Sequence, residues 1–395
     1  MRSGSQVPSP RLHRPRSRNE GAPGLVPADV RLLAALVLLL LTAGCATAAV
    51  PPQTVPSTPS TPSSGATGAT AAATPAPPPP VVVVLLKDFI PLGGAPTYSL
   101  SLVDVKGNLL ASATAHHRTR DWPMISPIST VADRVYYLDG DSDLRYLRPD
   151  GSTAAVRRLA VPDGFLAAFS VSPDRLRVAV SLVDLRAPRF STTLSVEDLS
   201  DGANHVELFS GPGNEWPIGW HQGSLVVAVG SPGPPQNTWD ALIAAREFHV
   251  ADPATGARIH TICGPGQAVL LNSAGVSCND NSGHVYSWSG TSQTVPKTSD
   301  CIPSGPLSPD GNALVVAGCK GVPFSIVKLT GEATPTAAVG SGTAVAWLDA
   351  NHILVESRAP TINENYPLVI FDLASGKSTN LPPGYFAAGL LTGTL

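Results

Sequence analysis

The chain has 395 residues, of which 43% are hydrophobic and 14% are charged, so most of it can bury a core. Its 26 Lys and Arg against 29 Asp and Glu give a formal charge of −3, which excludes the basic excess typical of nucleic-acid-binding proteins. One apolar run begins at Leu32, and no later run approaches the roughly 18 apolar residues of a membrane span.

Residues 1–44 are predicted to be a signal peptide of the lipoprotein type. Six arginines in residues 1–31 precede the apolar run Leu32–Ala43, which is too short to span a bilayer but fits the apolar region of a signal peptide. The sequence Leu41-Thr-Ala-Gly-Cys45 follows, and it resembles the box at which bacterial lipoproteins are cleaved. The resemblance implies cleavage before Cys45 and lipidation of its thiol. Ordinary cleavage or an uncleaved anchor, with Cys45 uninvolved, is the alternative.

Residues 45–80, which begin with this cysteine, are predicted to be a disordered tether. Positions 46–80 hold ten prolines, seven threonines and no charged residue, and such a segment cannot offset its ordering entropy by burial. In a polyproline II conformation it would reach on the order of 100 Å at most. We therefore expect an exported protein that lipid anchors to the outer face of the bacterial cell membrane, or to the outer membrane of a diderm.

Residues 81–395 contain a repeat of about 45 residues, in which a β-strand ends in an acidic residue that begins a glycine turn. A second unit is a turn between two short apolar strands, in which Pro fixes φ and Asp caps the turn. Alternating polarity with a turn about every 8–12 residues predicts antiparallel β-structure. The clearest glycine turns are Asp104–Gly107, Asp150–Gly151, Asp198–Gly202, Asp252–Gly256 and Asp372–Gly376, with degenerate copies ending at Gly290 and Gly331; the second unit includes Ser172–Asp174, Ser308–Gly311 and Asp349–Asn351.

Seven copies with four strands each match the blades of a β-propeller. The Ser-Pro-Asp-Gly and Asp-x-x-x-Gly turns resemble those of TolB-like and WD-repeat-like propellers, over about 80% of the chain. Repeated Trp-Asp strand ends are missing, since the one such pair is Trp239-Asp240, and the N-terminal α/β domain of TolB proper is not found. We therefore predict an all-β fold, a seven-bladed β-propeller over residues 81–395, with six or eight blades as alternatives.

The first blade needs an inner strand, because none precedes Val81–Lys87 in the chain. The segment Pro383–Leu390 resembles Asp163–Ser170, which is predicted to be the inner strand of another blade. We therefore expect the C-terminal strand to pair with the N-terminal blade and close the ring, which removes exposed sheet edges.

Four cysteines besides Cys45 allow three disulfide connectivities. Cys263 and Cys301 each precede a predicted inner strand, and Cys278 and Cys319 each end the strand that follows. This placement favours the pairs Cys263–Cys278 and Cys301–Cys319, each within one blade, in an oxidising compartment. A zinc site is the alternative, but no Cys-x-x-Cys spacing supports it.

The alternating carboxylates of Asp139–Asp143 are typical of a calcium loop. Leu144 stands where such a loop needs glycine, and no distal glutamate follows, so a polar hairpin turn is the preferred interpretation. No metal and no cofactor are predicted. The sequence has no Gly-x-Ser-x-Gly or His-Glu-x-x-His motif, so no catalytic residue is assigned.

Propeller connectivity places the longest loops on one face, where binding residues are most often found. Three tryptophans in these loops are candidate binding anchors, with rings packed between blades as the alternative: Trp122, Trp216 and Trp239. Four basic residues occupy similar places just after the second strand of their blades: Lys87, Arg186, Lys320 and Arg358. They are predicted to form a basic collar that attracts an anionic ligand or an acidic partner, unless they are only inherited repeat positions.

These features predict a binding or scaffolding module for a protein, an envelope glycan or another anionic ligand, held at the membrane by its lipid and without a nucleic-acid partner. The alternative is a propeller enzyme, such as a lyase, lactonase or glycosidase, that acts on a cell-envelope polymer. Such an enzyme needs acidic residues or histidine that converge at the channel mouth. The sequence offers five candidates: Asp121, Glu215, Asp240, Glu364 and His117.

Overall fold

The structure of the protein is a computed structural model, in which strands account for all the regular secondary structure of the described residues. It describes residues 81–88, 96–119, 125–186, 190–230, 245–264, 270–278, 283–296, 305–317, 324–330, 342–357, 367–392 and 395. The predicted signal peptide, Cys45 and the tether lie outside these ranges. None of the described residues belongs to a helix that would be long and apolar enough to cross a membrane.

The first four sheets of the described residues have four antiparallel strands each. Sheet 1 consists, in spatial order, of β25 (Tyr385–Leu390), β1 (Val82–Lys87), β2 (Thr97–Asp104) and β3 (Leu109–His116). Sheet 2 consists of β4 (Ile128–Val131), β5 (Arg134–Asp139), β6 (Asp143–Leu147) and β7 (Thr153–Arg158). Sheet 3 consists of β8 (Phe165–Val171), β9 (Arg177–Asp184), β10 (Ser191–Asp198) and β11 (Val206–Pro212). Sheet 4 consists of β12 (Asn214–His221), β13 (Ser224–Gly230), β14 (Ala245–Ala251) and β15 (Arg258–Cys263).

The next three sheets vary in strand number. Sheet 5 has three strands, β16 (Val276–Ser277), β17 (His284–Tyr286) and β18 (Ser292–Thr294). Sheet 6 has two, β19 (Ala313–Ala317) and β20 (Phe324–Lys328), and a bridge between Leu307 and Leu314 extends it by one residue pair. Sheet 7 has four, β21 (Gly342–Trp347), β22 (His352–Ser357), β23 (Leu368–Asp372) and β24 (Ser378–Asn380).

The sheets follow one another around a ring. The first strands of sheets 1 to 4 lie next to each other on its inner side, and buried clusters join each sheet to the next. A further cluster joins sheet 7 to sheet 1. The predicted all-β propeller is therefore confirmed. It has six blades of three or four described strands, which is the six-blade alternative of the prediction. The hairpin of sheet 6 lies between the fifth blade and the last.

Strand β1 has a uniformly apolar sequence because it packs against neighbouring sheets on both of its faces. Val82, Val84 and Leu86 contact the cluster shared with sheet 2, whereas Val83 and Leu85 contact the cluster shared with sheet 7. Successive side chains of a strand point to opposite faces, and both faces of this strand are covered, so none of its first five residues is more than 4% exposed. A central strand of this kind contacts a neighbouring blade on both sides, and this is why its sequence shows little alternation of polarity.

The C-terminal strand closes the ring, as predicted. β25 pairs antiparallel with β1, from Val83 opposite Leu390 to Lys87 opposite Tyr385. The chain then continues beyond the blade, since the amide of Leu391 donates to the carbonyl of Val82 and the amide of Leu395 donates to the carbonyl of Trp220 in sheet 4. Sheets 1 and 4 are not neighbours, so Leu391 and Leu395 dock on different parts of the ring. We call the described residues Leu391, Thr392 and Leu395 the C-terminal segment.

The two ends of the ring carry different turns. We call the end with the Asp-Gly and Ser-Pro-Asp turns the lower face, and the end where the first strand of each blade begins the upper face. At the lower face Ser172 donates to Asp174 at 2.5 Å and Ser308 donates to Asp310 at 2.6 Å. Each serine also accepts from the backbone five residues on. The same hydrogen bonds in two sheets show that the repeated sequence forms a repeated, side-chain-capped turn.

Candidate functional site

Two of the four residues of the predicted basic collar are described, and both lie at the upper face against a blade residue. The ammonium of Lys87 lies 5.9 Å from the centre of the Tyr385 ring. Arg186 stacks on Phe165 at 4.8 Å and donates to both oxygens of Asp184 at 2.8 and 2.9 Å. Hydrogen bonds from Arg186 lower the pKa of Asp184 to about 2, so this carboxylate balances the arginine. Lys320 and Arg358 lie outside the described residues, and the collar stays a prediction.

The acidic loop Asp139–Asp143 lies at the upper face, where its carboxylates form hydrogen bonds with nearby residues of sheets 1 and 2. Asp139 accepts from the backbone and ring of His116, each at 2.8 Å. Asp141 accepts from Thr119, and Asp143 pairs with Arg158 at 2.7 Å. The three carboxylates thus form hydrogen bonds with three different residues, as is typical of a polar hairpin turn. In the part of the chain that the structure describes, no group of three or more His, Cys, Asp or Glu is arranged to hold a metal ion.

Trp216 is not on a binding surface, and its candidacy as an anchor was wrong. It lies on inner strand β12, is 2% exposed, and packs in the cluster that joins sheets 3, 4 and 5. The ring closely approaches Gly230 on the adjacent strand, where a Cβ would come within 3.0 Å of it. Of the two interpretations, packing between blades is the correct one here. Trp122 and Trp239 lie outside the described residues.

The candidate acids of the enzyme alternative do not form a described catalytic site. Glu215 is 7% exposed on β12, burial raises its pKa, and Arg258 lies 3.3 Å away. His117 follows β3 of sheet 1, with its ring 5.7 Å from Tyr98. The remaining three candidates, Asp121, Asp240 and Glu364, lie outside the described residues. The one described carboxyl of the five is thus buried beside an arginine.

A disulfide joins Cys263 to Cys278, with 5.5 Å between their Cα atoms. This is the first of the two pairs that the sequence favours, but it does not lie within one blade. Cys263 ends β15, the last strand of sheet 4, and Cys278 follows β16 of sheet 5. The bond therefore connects neighbouring sheets. Cys301 and Cys319 lie outside the described residues, and their pairing remains a prediction.

Removing this disulfide is expected to lower the free energy of unfolding by about 3 kcal/mol, because the bond closes a loop of 15 residues in the unfolded chain. The double variant Cys263→Ala/Cys278→Ala tests this by urea denaturation without reductant. The reduced parent protein should lose at least as much stability, because reduction also breaks the predicted Cys301–Cys319 pair. Peptide mapping without reductant should recover the Cys263–Cys278 pair, and separately the Cys301–Cys319 pair. Free thiols at positions 263 and 278 would contradict the assignment.

The lower face brings together arginines from two sheets, which the sequence analysis missed. Arg134, Arg148 and Arg175 all reach the same oxygen of Asp133, at 2.7, 3.5 and 3.1 Å. The Tyr146 ring lies 4.6 Å from the guanidinium carbon of Arg134 and 5.7 Å from that of Arg148. Leu176, in the adjacent turn of sheet 3, is 67% exposed. We call this patch the arginine surface, and it comprises Arg134, Arg148, Arg175, Tyr146 and Leu176.

Ion pairs on the arginine surface are shared rather than formed one to one. A hydrogen bond from Arg134 lowers the pKa of Asp133 most, and the charges of Arg175 and Arg148 add to it. Three guanidinium groups thus share one carboxylate. Two further carboxylates of the neighbouring turns, Asp150 and Asp174, each accept from backbone N–H groups of their own turns. Hydrogen bonds from Ser152 lower the pKa of Asp150 most, and the charge of Arg148 adds to this effect. Side chains of Arg148 and Arg175 remain 36% and 46% exposed, so they are accessible to a partner.

Described residues pack against the inner strands at both faces of the ring. At the upper face, Arg118 is 8% exposed and donates to the carbonyls of Ala167 and Ile125, at 3.2 and 2.8 Å. The Ile125 side chain packs in the same cluster as Trp216. At the lower face, Leu395 joins this cluster, and a Cβ at Gly219 would collide with the Leu395 side chain. Glycine at position 219 is therefore needed for the C-terminal segment to dock.

Comparisons with known proteins return solved structures of low similarity and assign neither a family nor a function. No family model and no curated protein matches the chain. Similar solved structures include TolB from Acinetobacter baumannii, with 12% identity and a TM-score of 0.37, over 79% of this chain and 65% of TolB, which is less than two thirds of its length. Oligogalacturonate lyase from Vibrio parahaemolyticus matches with 10% identity and a TM-score of 0.36, over 72% and 71% of the two chains. Dihydro-heme d1 dehydrogenase NirN matches with 13% identity and a TM-score of 0.38, over 80% and 77%.

The class of protein therefore follows from the sheets themselves, which form a β-propeller. TolB, whose family the repeated turns resemble, is among the structures similar to the chain. Likenesses at this level carry no argument about activity.

Proposed function

We propose that the protein is an exported, lipid-tethered β-propeller that binds an acidic segment of a partner protein through the arginine surface. The observation that carries this proposal is the convergence of three guanidinium groups on one carboxylate, beside an exposed leucine. Arginine and tyrosine are enriched among residues that dominate binding energy at interfaces. Guanidinium groups also bind carboxylates in a bidentate manner that ammonium groups do not reproduce.

Rigid support of the arginine surface favours binding over a purely solvated patch. The Arg134 side chain is 10% exposed and is held by Asp133 and Tyr146. An ordered guanidinium loses less rotamer freedom when a partner carboxylate binds, so a larger part of the interaction energy remains as affinity.

Tethering at the membrane is part of the same proposal. Lipidation of Cys45 and a Pro-rich tether would hold the propeller outside the membrane while leaving its faces accessible. An exported binding module needs no catalytic group, and the enzyme alternative has only Glu215 and His117 among described residues. Glu215 is buried beside Arg258, which does not favour that alternative.

The double variant Arg148→Ala/Arg175→Ala tests the proposal. In-cell crosslinking, purification and mass spectrometry should recover one dominant partner with the parent protein and at least about tenfold less with the variant, because each lost charge-assisted contact contributes roughly 1.5–3 kcal/mol. The matched control is Arg158→Ala, an exposed arginine that pairs with Asp143 at the upper face. Equal recovery by all three proteins, with equal thermal midpoints, would refute a role for the arginine surface.

A further inference from the structure

Asp133 lies at the point where the three arginines of the arginine surface meet. Arg134 contacts both of its oxygens, since the Arg134 Nε lies 3.1 Å from Oδ1 and the Nη2 lies 2.7 Å from Oδ2. The closest approaches of Arg175 and Arg148 are to Oδ2, at 3.1 and 3.5 Å. The Asp133 carboxylate therefore holds the place between Arg148 and Arg175 that a carboxylate of a partner would take.

The three arginines are bound to Asp133 to different degrees. The Arg134 side chain is 10% exposed and forms three hydrogen bonds with this carboxylate. Arg175 forms one hydrogen bond with it, and the 3.5 Å to Arg148 exceeds the usual length of a charge-assisted hydrogen bond. Exposed ion pairs of this kind are weak, so Asp133 can release Arg148 and Arg175 and stay paired with Arg134.

Arg148 has a donor that the described residues leave unused. Its Nε is buried, and no described residue accepts a hydrogen bond from it. The Tyr146 ring, 5.7 Å from the guanidinium carbon, supports the group from one side. A buried donor without an acceptor costs free energy, so turning from Asp133 to a carboxylate that accepts from this donor is favourable for Arg148.

One carboxylate of a partner can reach both exposed arginines. The nearest nitrogens of Arg148 and Arg175 lie within 3.5 Å of the same oxygen, so they are no more than about 7 Å apart, a gap that a carboxylate bridges with two charge-assisted hydrogen bonds. Asp133 is ionised at neutral pH, because the hydrogen bond from Arg134 lowers its pKa most and the charges of Arg175 and Arg148 add to this effect. Its negative charge therefore opposes the arrival of a second carboxylate.

We propose that Asp133 is a built-in competitor that lowers the affinity of the arginine surface for the acidic segment of its partner. On binding, a carboxylate of the partner takes over Arg148 and Arg175, and Asp133 remains paired with Arg134. This inference rests on the proposed function and adds how binding at the same surface is regulated. Competition of this kind gives specificity, because a ligand has to offset the ion pairs that it replaces.

Fluorescence anisotropy with labelled hexaglutamate tests the proposal on the full chain, with hexalysine as the negative probe. Asp133→Asn should bind hexaglutamate about fivefold more tightly than the parent, because two weak competing pairs are removed while the asparagine oxygen still accepts from Arg134. Asp150→Asn is the matched control, since Asp150 accepts from Ser152 in its own turn. Its loss removes the same charge from the neighbouring turn and should tighten binding by at most about twofold, through the screened field alone.

Two outcomes would overturn the proposal, namely an Asp133→Asn protein that gains no more affinity than Asp150→Asn, and one that binds hexaglutamate more weakly than the parent at an unchanged thermal midpoint. Asp133→Ser is the second variant if asparagine lowers that midpoint, and it should show the same gain. If hexaglutamate binding is lost in Arg148→Ala/Arg175→Ala but does not respond to Asp133→Asn, only the competition is refuted. If no protein binds hexaglutamate and partner recovery in cells does not depend on Arg148 and Arg175, the proposed function fails as well.

Discussion

Deletion of residues 384–395 is expected to abolish cooperative unfolding of the propeller. The deletion removes β25, so β1 loses its hydrogen-bonded neighbour and exposes an apolar edge. It also removes Leu390 and Leu391, which are 5% and 4% exposed in the clusters that join sheet 1 to sheets 7 and 2. Circular dichroism and tryptophan fluorescence during urea denaturation should then give transitions that no longer coincide.

A shorter deletion, of residues 392–395, is the control for this experiment. It keeps β25 and Leu391 and removes the docking of Leu395 on sheet 4. We expect a single cooperative transition at a lower urea midpoint. A protein without residues 384–395 that unfolds as cooperatively as the parent, at the same midpoint, would contradict closure of the ring by the C-terminal strand.

The substitution Trp216→Ala is expected to lower the free energy of unfolding by about 3–5 kcal/mol, as for other large aromatic residues removed from a core. Trp216 is 2% exposed and contacts residues of three sheets, so its removal leaves a cavity that the rigid ring fills poorly. Urea denaturation measures the loss. Leu176→Ala, at an exposed position of the arginine surface, should change stability by no more than about 0.5 kcal/mol.

Substitutions of Trp216 and of Leu176 should also have different effects on binding of the partner protein. If Trp216 were a binding anchor, its replacement would reduce partner recovery without changing stability, and that result would contradict the packing described above. Trp216→Ala should instead act through stability alone. Leu176→Ala should reduce recovery of the partner while leaving the unfolding midpoint unchanged.

Local sequence patterns predict the strands and turns of this fold well. Ser172 and Asp174, like Ser308 and Asp310, form in the structure the capped turns that the sequence predicts. The similarity of Pro383–Leu390 to another inner strand also predicts closure of the ring. These features succeed because a turn depends on residues within five positions of each other, and a repeat shows the same turn several times.

The placement of the disulfide and the extent of each sheet depend on contacts between sheets, which the sequence pattern does not predict. Cys263 and Cys278 were expected to join strands of one blade, but the boundary between sheets 4 and 5 falls between them. Sheet 6 was expected to be a full blade, and its described residues form a hairpin. A repeat length in the sequence does not by itself assign each described strand to a blade.

The arginine surface also depends on contacts between sheets, and its composition could not be predicted from the sequence. Arg134 and Arg148 are followed by Arg175 in another blade, and no spacing rule connects the three. They meet because the lower turns of adjacent sheets meet, and the shared partner Asp133 is visible only in three dimensions. Trp216 illustrates the converse, since a large aromatic residue in a predicted loop lies near the start of a buried inner strand.

The most direct test of the proposed function is photocrosslinking from two defined positions in cells. A photoreactive amino acid would replace Leu176, on the arginine surface, or His116, whose side chain is 73% exposed at the upper face. The account predicts a specific crosslinked partner from position 176, lost in the Arg148→Ala/Arg175→Ala background, and background labelling from position 116. A partner that crosslinks from position 116 and not from position 176 would contradict the account and assign binding to the upper face.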